Sequence, residues 1–265
     1  AFISVSASMS DEAFLAWGWR LPFIASILLI AISLYIQLRM EDTEAFKALQ
    51  AEQAASPQQA VAERSPVFEA MRRYPRRILL AAGAFLSVQV TFYILIAFVI
   101  AYGLNSPTVD LTRDELLVSV LVAAAIMMPA QFYFSGLSDR VGRKQIYRWG
   151  AILTGIWGFA IFPLVDTGMP IMITLAVTMG MVLLGMQYGP QAAYFTELFA
   201  TEVRYSGASL GYQIGAILGG ALAPTIAVLL WQELGIIYVS VYILVAALLT
   251  LWCLSQLEET GGKAL

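Results

Sequence analysis

The stretch Gly136-Leu137-Ser138-Asp139-Arg140-Val141-Gly142-Arg143-Lys144 decides the fold, because it places four charged side chains between two long apolar segments. Hydrocarbon does not accommodate such a density of charge. We therefore expect a tight loop at one membrane face. The apolar segments on either side run for about 18 residues or more, the length that a helix needs to cross a bilayer. The stretch predicts two membrane-spanning helices joined by a charged loop.

The composition of the whole chain agrees with this prediction. Of the 265 residues, 60% are hydrophobic and only 12% are charged, whereas soluble domains carry about 25% charged residues. The chain has one cysteine, Cys253, and no histidine. This excludes an internal disulfide, a cysteine-based metal site and a Ser-His-Asp catalytic set. We predict an all-α, polytopic membrane protein that is not an enzyme, with no metal, no cofactor and no nucleic-acid partner.

Seven apolar runs are predicted to span the bilayer. A polar segment over 41–77, punctuated by Pro57, Pro66 and Pro75, separates the first run from the other six and is expected to be a linker. The predicted spans are 21–38, 78–102, 115–135, 146–165, 169–198, 206–231 and 236–256.

The positions of Lys and Arg predict the orientation. If the charged stretch is cytoplasmic, only Arg20 and Arg113 of the fifteen basic residues lie on the other side. Basic residues are enriched in cytoplasmic loops of membrane proteins. We therefore expect the 41–77 linker and the C-terminus to be cytoplasmic.

Several separated motifs resemble one transporter family. The stretch 136–144 resembles the G-x-L-S-D-R-x-G-R-K signature of the major facilitator superfamily, in the copy between helices 8 and 9. The motif Trp17-Gly18-Trp19-Arg20 is similar to the start of helix 6 in its metabolite:proton symporter family. The block from Tyr188-Gly189-Pro190-Gln191 to 204–213 resembles helices 10 and 11 of that family, although Ala200 stands where members usually carry proline. Glu259-Thr260 resembles the element after helix 12.

The resemblance implies a domain organisation and a function. Residues 1–40 would be the end of helix 5 and helix 6, residues 41–77 the central loop, and residues 78–265 a C-terminal bundle of helices 7–12. The rest of the N-terminal half would be missing. The implied function is proton-coupled symport of a small polar organic solute, an organic acid or a zwitterionic osmolyte, by alternating access in the bacterial inner membrane. Two alternatives are a non-transporting membrane sensor or scaffold on the same fold, and an inactive fragment.

Five charged residues lie at predicted cytoplasmic helix ends. The resemblance implies that they form a latch that holds the cytoplasmic side closed. The alternative is solvated loop charge, with salt bridges worth at most about 1 kcal/mol each. The residues are Asp139, Arg140, Arg143, Glu197 and Arg204.

Candidate solute ligands are neutral. All eighteen Asp and Glu residues lie in loops or at the ends of predicted spans, so we expect the proton-carrying group in the missing half. The resemblance implies that helices 7 and 10 line the central cavity. Gln89 and Tyr93 on helix 7 and Gln187 and Gln191 on helix 10 are therefore candidate solute ligands, with inter-helix hydrogen bonding as the alternative. A second set comprises Gln131, Trp157, Tyr212 and Gln213.

A glycine at every fourth position of predicted helix 11 indicates close helix packing. Small residues at this spacing form a groove that lets a neighbouring helix approach. The residues are Gly207, Gly211, Gly215 and Gly219.

Overall fold

The computed structural model describes residues 8–39 and 65–261, and every regular element in these ranges is a helix. Seven of the helices are long and apolar enough to cross a membrane. The all-α prediction and the seven predicted spans are therefore confirmed. The chain divides into two units, Ala1–Gln59 and Ala60–Leu265, and each unit is described by itself.

Within its described residues, 8–39, the first unit contains one span. A short helix α1 (Asp11–Ala16) begins at Ser10, whose hydroxyl accepts a hydrogen bond from the N–H of Ala13. A turn of 3-10 helix leads into α2 (Leu21–Arg39). In this turn the Arg20 guanidinium lies 4.5 Å from the centre of the Trp19 ring, which suits an anchor at a membrane interface.

In the second unit, residues 65–261 are described and form a short helix followed by six spans. The helices are α3 (Pro66–Arg73), α4 (Pro75–Asn105), α5 (Arg113–Val141), α6 (Arg143–Val165), α7 (Pro170–Glu197), α8 (Thr201–Leu234) and α9 (Ile237–Gln256). Helices α4, α5, α6 and α8 extend beyond the predicted apolar runs at one end or both, because backbone hydrogen bonds continue past the part of a helix that hydrocarbon requires to be apolar. Helices α7 and α9 lie within their predicted runs, to within one residue at each end.

The charged stretch differs from the expected loop. Helix α5 continues to Val141 and α6 begins at Arg143, so Gly142 is the one residue between them. Gly142 has φ 116°, a region that glycine adopts without steric cost. The charges therefore project from two helix ends, and we call this side of the second unit the charged end.

The second unit is held together through small residues and polar cross-links. Helix α7 packs on α5 and α6, α6 packs on α9, and α4 packs on α8 and α9. Tyr147 on α6 donates a hydrogen bond of 2.8 Å to the Ala84 carbonyl on α4. Thr250 on α9 donates to the Gly83 carbonyl and accepts from the N–H of Ser87. Cross-helix hydrogen bonds of this kind stabilise membrane bundles, where apolar burial contributes little.

Helices α4 and α8 share an unusual feature near their midpoints. Each contains a π-helical segment, Ile94–Phe98 in α4 and Ala216–Ala221 in α8. Such segments are rare and often occur at functional sites, because the extra residue changes the direction of nearby side chains.

Three of the four evenly spaced glycines of α8 face α4. A Cβ atom on Gly215 would lie 2.7 Å from the Ala82 carbonyl oxygen, and one on Gly219 would lie 3.0 Å from Cβ of Gln89. Gly211 faces Ala81 in the same way, whereas Gly207 faces Phe199. The α8 glycines therefore set the distance between α8 and α4.

Candidate functional site

A cavity of about 390 Å³ lies between α4, α5, α7 and α8. Its volume is in the range of small-molecule sites. Five neutral polar side chains line it, together with four apolar ones, and no charged residue is among them. The polar residues are Gln89, Tyr93, Gln131, Tyr188 and Tyr212, and the apolar residues are Val88, Phe92, Met127 and Leu184.

Gln89 and Tyr93 lie against the backbone of α8. A Cβ atom on Gly220 would be 2.7 Å from the Tyr93 ring and 3.5 Å from Nε2 of Gln89. Both side chains therefore occupy space that a larger residue on α8 would fill. Tyr93 also immediately precedes the π-helical segment of α4. The small residues of α8 thus help to form the cavity as well as the helix contact.

The cavity wall formed by α7 and α8 is closed by a pair of tyrosines. The hydroxyl oxygens of Tyr188 and Tyr212 are 2.6 Å apart, the distance of a good hydrogen bond. The Tyr212 ring also lies 4.1 Å from the ring centre of Phe85 on α4. Three helices that border the cavity are therefore connected through Tyr212.

Gln187 and Gln191 do not line this cavity. Both side chains are buried, and Gln187 donates from Nε2 to the hydroxyl of Thr154 on α6 over 2.8 Å. Neither amide atom of Gln191 has a hydrogen-bond partner among the described residues. Their face of α7 continues to the buried Tyr194, so the expectation that these residues share a face agrees with the structure. That face is directed into the bundle, and neither glutamine is among the residues that line the cavity.

The second set of candidate ligands is divided in the same way. Gln131 and Tyr212 line the cavity. Trp157 instead donates from Nε1 to the Ala176 carbonyl over 3.0 Å, and Gln213 is exposed. Tyr188 completes the lining from α7, although the sequence drew attention to its glutamine neighbours.

At the charged end, Arg143 pairs with two carboxylates. Its Nη1 lies 2.9 Å from Oδ1 of Asp139, and its Nε lies 2.8 Å from Oε2 of Glu197. The Arg143 and Glu197 side chains are 17% and 10% exposed, whereas that of Asp139 is 58% exposed. Removing one partner of a largely buried ion pair is strongly destabilising, because the other charge is left buried without a counter-charge. Arg143 thus joins α5, α6 and α7 at one point.

The other two members of the predicted latch lie outside this network. Arg140 is exposed and makes no ion pair within the described residues. Arg204 donates from Nε to the Phe199 carbonyl at 3.4 Å, a long contact within its own connection. Of the five residues predicted, the structure brings three together.

Glu259 is a member of the charged end that sequence reasoning did not assign. Its Oε1 accepts hydrogen bonds from the N–H groups of Arg143 at 3.0 Å and Lys144 at 3.3 Å, at the start of α6. A carboxylate at a helix N-terminus is stabilised by the helix dipole. A Cβ atom on Gly142 would lie 2.9 Å from Oε2 of Glu259, so a larger residue would displace this carboxylate, and the φ of Gly142 independently favours glycine. In the sequence, only the acidic pair before Thr260 drew attention to this position.

The segment that contains Glu259 is attached at further points. Nζ of Lys144 donates to the Leu257 carbonyl over 2.5 Å, and the Tyr194 hydroxyl donates to the Glu258 carbonyl over 2.9 Å. The residues after α9 therefore connect the start of α6 with the last turn of α7.

Comparisons with known proteins find relatives along nearly the whole chain. The family model described as Major Facilitator Superfamily matches residues 12–210. A putative metabolite transport protein of Haemophilus influenzae is 32% identical over 272 residues, which cover 98% of this chain and 60% of the relative.

Two relatives from Escherichia coli have the same sequence identity to this chain. The inner membrane metabolite transport protein YhjE is 32% identical over 272 residues, covering 100% of this chain and 59% of the relative. A shikimate transporter is 32% identical over 224 residues, covering 84% of this chain and 50% of the relative. The chain spans at most about 60% of the length of these relatives.

Proposed function

The chain belongs to the major facilitator superfamily, and on this premise we propose that it forms part of a secondary active transporter in a bacterial inner membrane. The solute would be a small polar organic molecule, either an organic acid or a zwitterionic osmolyte. The relatives are named as transport proteins rather than enzymes, which supports transport without chemical change of the solute.

The observation that carries the proposal is the cavity between α4, α5, α7 and α8. Gln89 and Tyr93 would bind the solute from α4, with Gln131, Tyr188 and Tyr212 opposite. Amide and phenol groups at membrane depth need hydrogen-bond partners, which a polar solute supplies. The lining lacks charge, so a solute carboxylate would pair with a cation of the N-terminal half.

Arg143 would act as the centre of a latch. In alternating access, two bundles rock about a central site, and one side closes while the other opens. The bonds of Arg143 to Asp139 and Glu197 would hold α5, α6 and α7 together when the charged end is closed. Glu259 supports this arrangement by fixing the first residues of α6.

The orientation and the coupling ion belong to the same proposal. The distribution of Lys and Arg favours a cytoplasmic charged end, with the 41–77 linker on that side. The acidic residues of the described spans lie in terminal turns, so the proton-carrying residue is assigned to the N-terminal half. The described helices α4–α9 would then be the C-terminal bundle within 78–265, and α2 the helix that precedes the linker.

Reconstitution of the full-length protein tests the proposal. We expect vesicles that contain it to accumulate a radiolabelled organic acid or betaine-type zwitterion when a proton gradient is imposed, and to stop when a proton ionophore is added. Uptake that persists at the same level without the gradient would contradict symport. Failure to transport any member of both solute classes would favour the sensor or scaffold alternative.

The inactive-fragment alternative is tested by the present chain. Expressed without the remaining half, it is expected to fold less stably than the full-length protein, because the cavity wall lacks its partner. Equal uptake by both would contradict the assignment of the proton site to the N-terminal half.

A further inference from the structure

Four arginines lie where α3 meets α4. Arg72 and Arg73 end α3, and Arg76 and Arg77 belong to the first turn of α4. All four side chains are exposed, and none makes an ion pair within the described residues. We propose that this corner of the molecule, α3 with the four arginines, binds the headgroups of anionic phospholipids.

Helix α3 has an exposed apolar face. The side chains of Val67, Phe68 and Met71 are 43%, 58% and 54% exposed, whereas Ala70 is fully buried. The three exposed residues occupy one side of the helix, because Val67 and Phe68 precede Met71 by four and three residues. A short helix with an apolar side and adjacent arginines is typical of segments that lie in the membrane interface.

The position of α3 along the chain places it at the level of lipid headgroups. Tyr74 is the single residue between the end of α3 and Pro75, where the α4 span begins. The Tyr74 ring packs edge-on against Phe199, with ring centres 6.0 Å apart. The helix is therefore fixed at the start of a membrane span, with its apolar side available to acyl chains.

The arginines retain donors for phosphate oxygens. Arg76 donates to Oε1 of Gln256 over 3.1 Å, and Arg77 donates to the Leu198 carbonyl over 2.9 Å. Each contact uses one of the five N–H donors that a guanidinium carries. Arg72 and Arg73 make no hydrogen bond within the described residues. A guanidinium binds a phosphate through two parallel hydrogen bonds.

Nearby acidic groups determine where a phosphate would sit. A cavity of about 240 Å³ beside Arg76 and Arg77 is also lined by Glu197 and Glu258, which disfavours an anion inside it. Glu69 lies on α3 one turn before Arg73 but forms no ion pair with it. The phosphate is therefore assigned to the outer side of the corner, next to Arg72 and Arg73.

Lipid fits this corner better than a free anion does. A free phosphate would use the arginines but leave Val67, Phe68 and Met71 in water. An anionic phospholipid satisfies both features, because its phosphate meets the arginines and its acyl chains meet the apolar side. Clusters of basic residues next to a span are typical of binding to anionic lipid.

The test measures thermal unfolding of the full chain in a neutral detergent. Phosphatidylglycerol, phosphatidylcholine and inorganic phosphate are added separately at equal concentrations. We expect phosphatidylglycerol to raise the midpoint of unfolding at least twice as much as phosphatidylcholine, and phosphate to have little effect. An equal effect of the two lipids would overturn the proposal. A phosphate effect as large as that of phosphatidylglycerol would assign the site to a free anion instead.

Matched variants locate the site. Arg72→Gln/Arg73→Gln is expected to lose at least half of the difference between the two lipids. Arg113→Gln/Arg148→Gln removes the same charge elsewhere on the surface and should keep the difference. Equal losses in both variants would show a general charge effect and contradict the proposed site.

Two further substitutions keep the test decisive if the glutamine variant folds poorly. Arg72→Lys/Arg73→Lys retains the charge and should keep most of the lipid preference. Phe68→Ser should weaken the response to phosphatidylglycerol although every arginine is present. If phosphatidylglycerol raised the unfolding midpoint of Phe68→Ser as much as that of the unchanged protein, α3 would not be part of the lipid site.

Discussion

The middle of the second unit and its charged end are built from different chemistry, although α5 and α7 pass through both. In the middle, Tyr188 and Gln131 border a cavity whose lining is neutral. At the charged end, Asp139 and Glu197 on the same two helices pair with Arg143. Neutral groups can exchange one hydrogen-bond partner for another at small cost, whereas a buried ion pair resists separation.

This difference indicates a division of roles. The cavity suits a ligand that enters and leaves, and the charged end suits a connection that is either made or broken. Five pairs of substitutions test how each region is built, ordered from the largest expected effect to the smallest.

Arg143→Ala should have the largest effect. It leaves Glu197 largely buried without its cation, a loss of about 3 kcal/mol for the closed arrangement. We expect uptake by the full-length protein to fall at least about tenfold, while solute binding, measured by equilibrium dialysis, changes little. Arg148→Ala, which removes an exposed arginine of α6, is the control. Equal uptake by both variants would support the solvated-charge alternative.

Gly215→Ala should lower the free energy of unfolding by about 2 kcal/mol, because the added methyl group meets the Ala82 carbonyl and forces α8 away from α4. Gly136→Ala is the matched control in α5. No atom lies within 4 Å of its added Cβ, so the gain in helix propensity should stabilise by up to about 1 kcal/mol. Thermal unfolding in detergent measures both. The same sign for both substitutions would contradict close packing of α8 on α4.

Gln89→Leu and Gln187→Leu separate the cavity from the core of the bundle. The first removes a proposed solute contact and should raise the KM for uptake about fivefold, the effect of about one hydrogen bond. The second removes the bond to Thr154 and should leave KM within about twofold. If Gln187→Leu raised KM more than Gln89→Leu does, the glutamine face of α7 would have to be part of the solute site.

Tyr212→Phe should have a smaller effect. It removes the hydroxyl that bonds Tyr188 but keeps the ring beside Phe85, so the free energy of unfolding should fall by about 1 kcal/mol. Tyr242→Phe is the control, because the Tyr242 hydroxyl has no hydrogen bond within the described residues. Chemical denaturation in detergent distinguishes the two.

Asp139→Asn should have the smallest effect. Its side chain is 58% exposed, and exposed ion pairs contribute at most about 1 kcal/mol. We expect uptake to change less than about twofold, whereas Glu197→Gln at the buried partner should approach the effect of Arg143→Ala. If Asp139→Asn were as damaging as Glu197→Gln, burial would not be what distinguishes the two carboxylates.

The spans were predictable from the sequence because hydrocarbon imposes length and composition directly. The boundary between α5 and α6 was not. Four charges in a short stretch indicated a loop, but charges at the end of a helix reach the membrane surface without breaking it. Only Gly142, through its φ and its contact with Glu259, interrupts the helical path.

The site was predictable in part, for a related reason. Periodicity shows which residues share a face of a helix, and it placed Gln187 and Gln191 together correctly. It does not show which way that face points, which depends on the neighbours of α7. The cavity therefore received Tyr188 in place of the two glutamines. The partner of Glu259 lies 116 residues away in sequence, and no local pattern connects them.

The contact of Glu259 with the start of α6 also has a consequence for biogenesis. Its carboxylate is synthesised 116 residues after Arg143, which corresponds to a delay on the order of ten seconds at ribosomal rates of about 5–20 residues per second. During this interval α6 lacks the acceptor for its first N–H groups, and the ends of α5 and α6 are free to adjust. The charged end is therefore completed only after α9 has been synthesised.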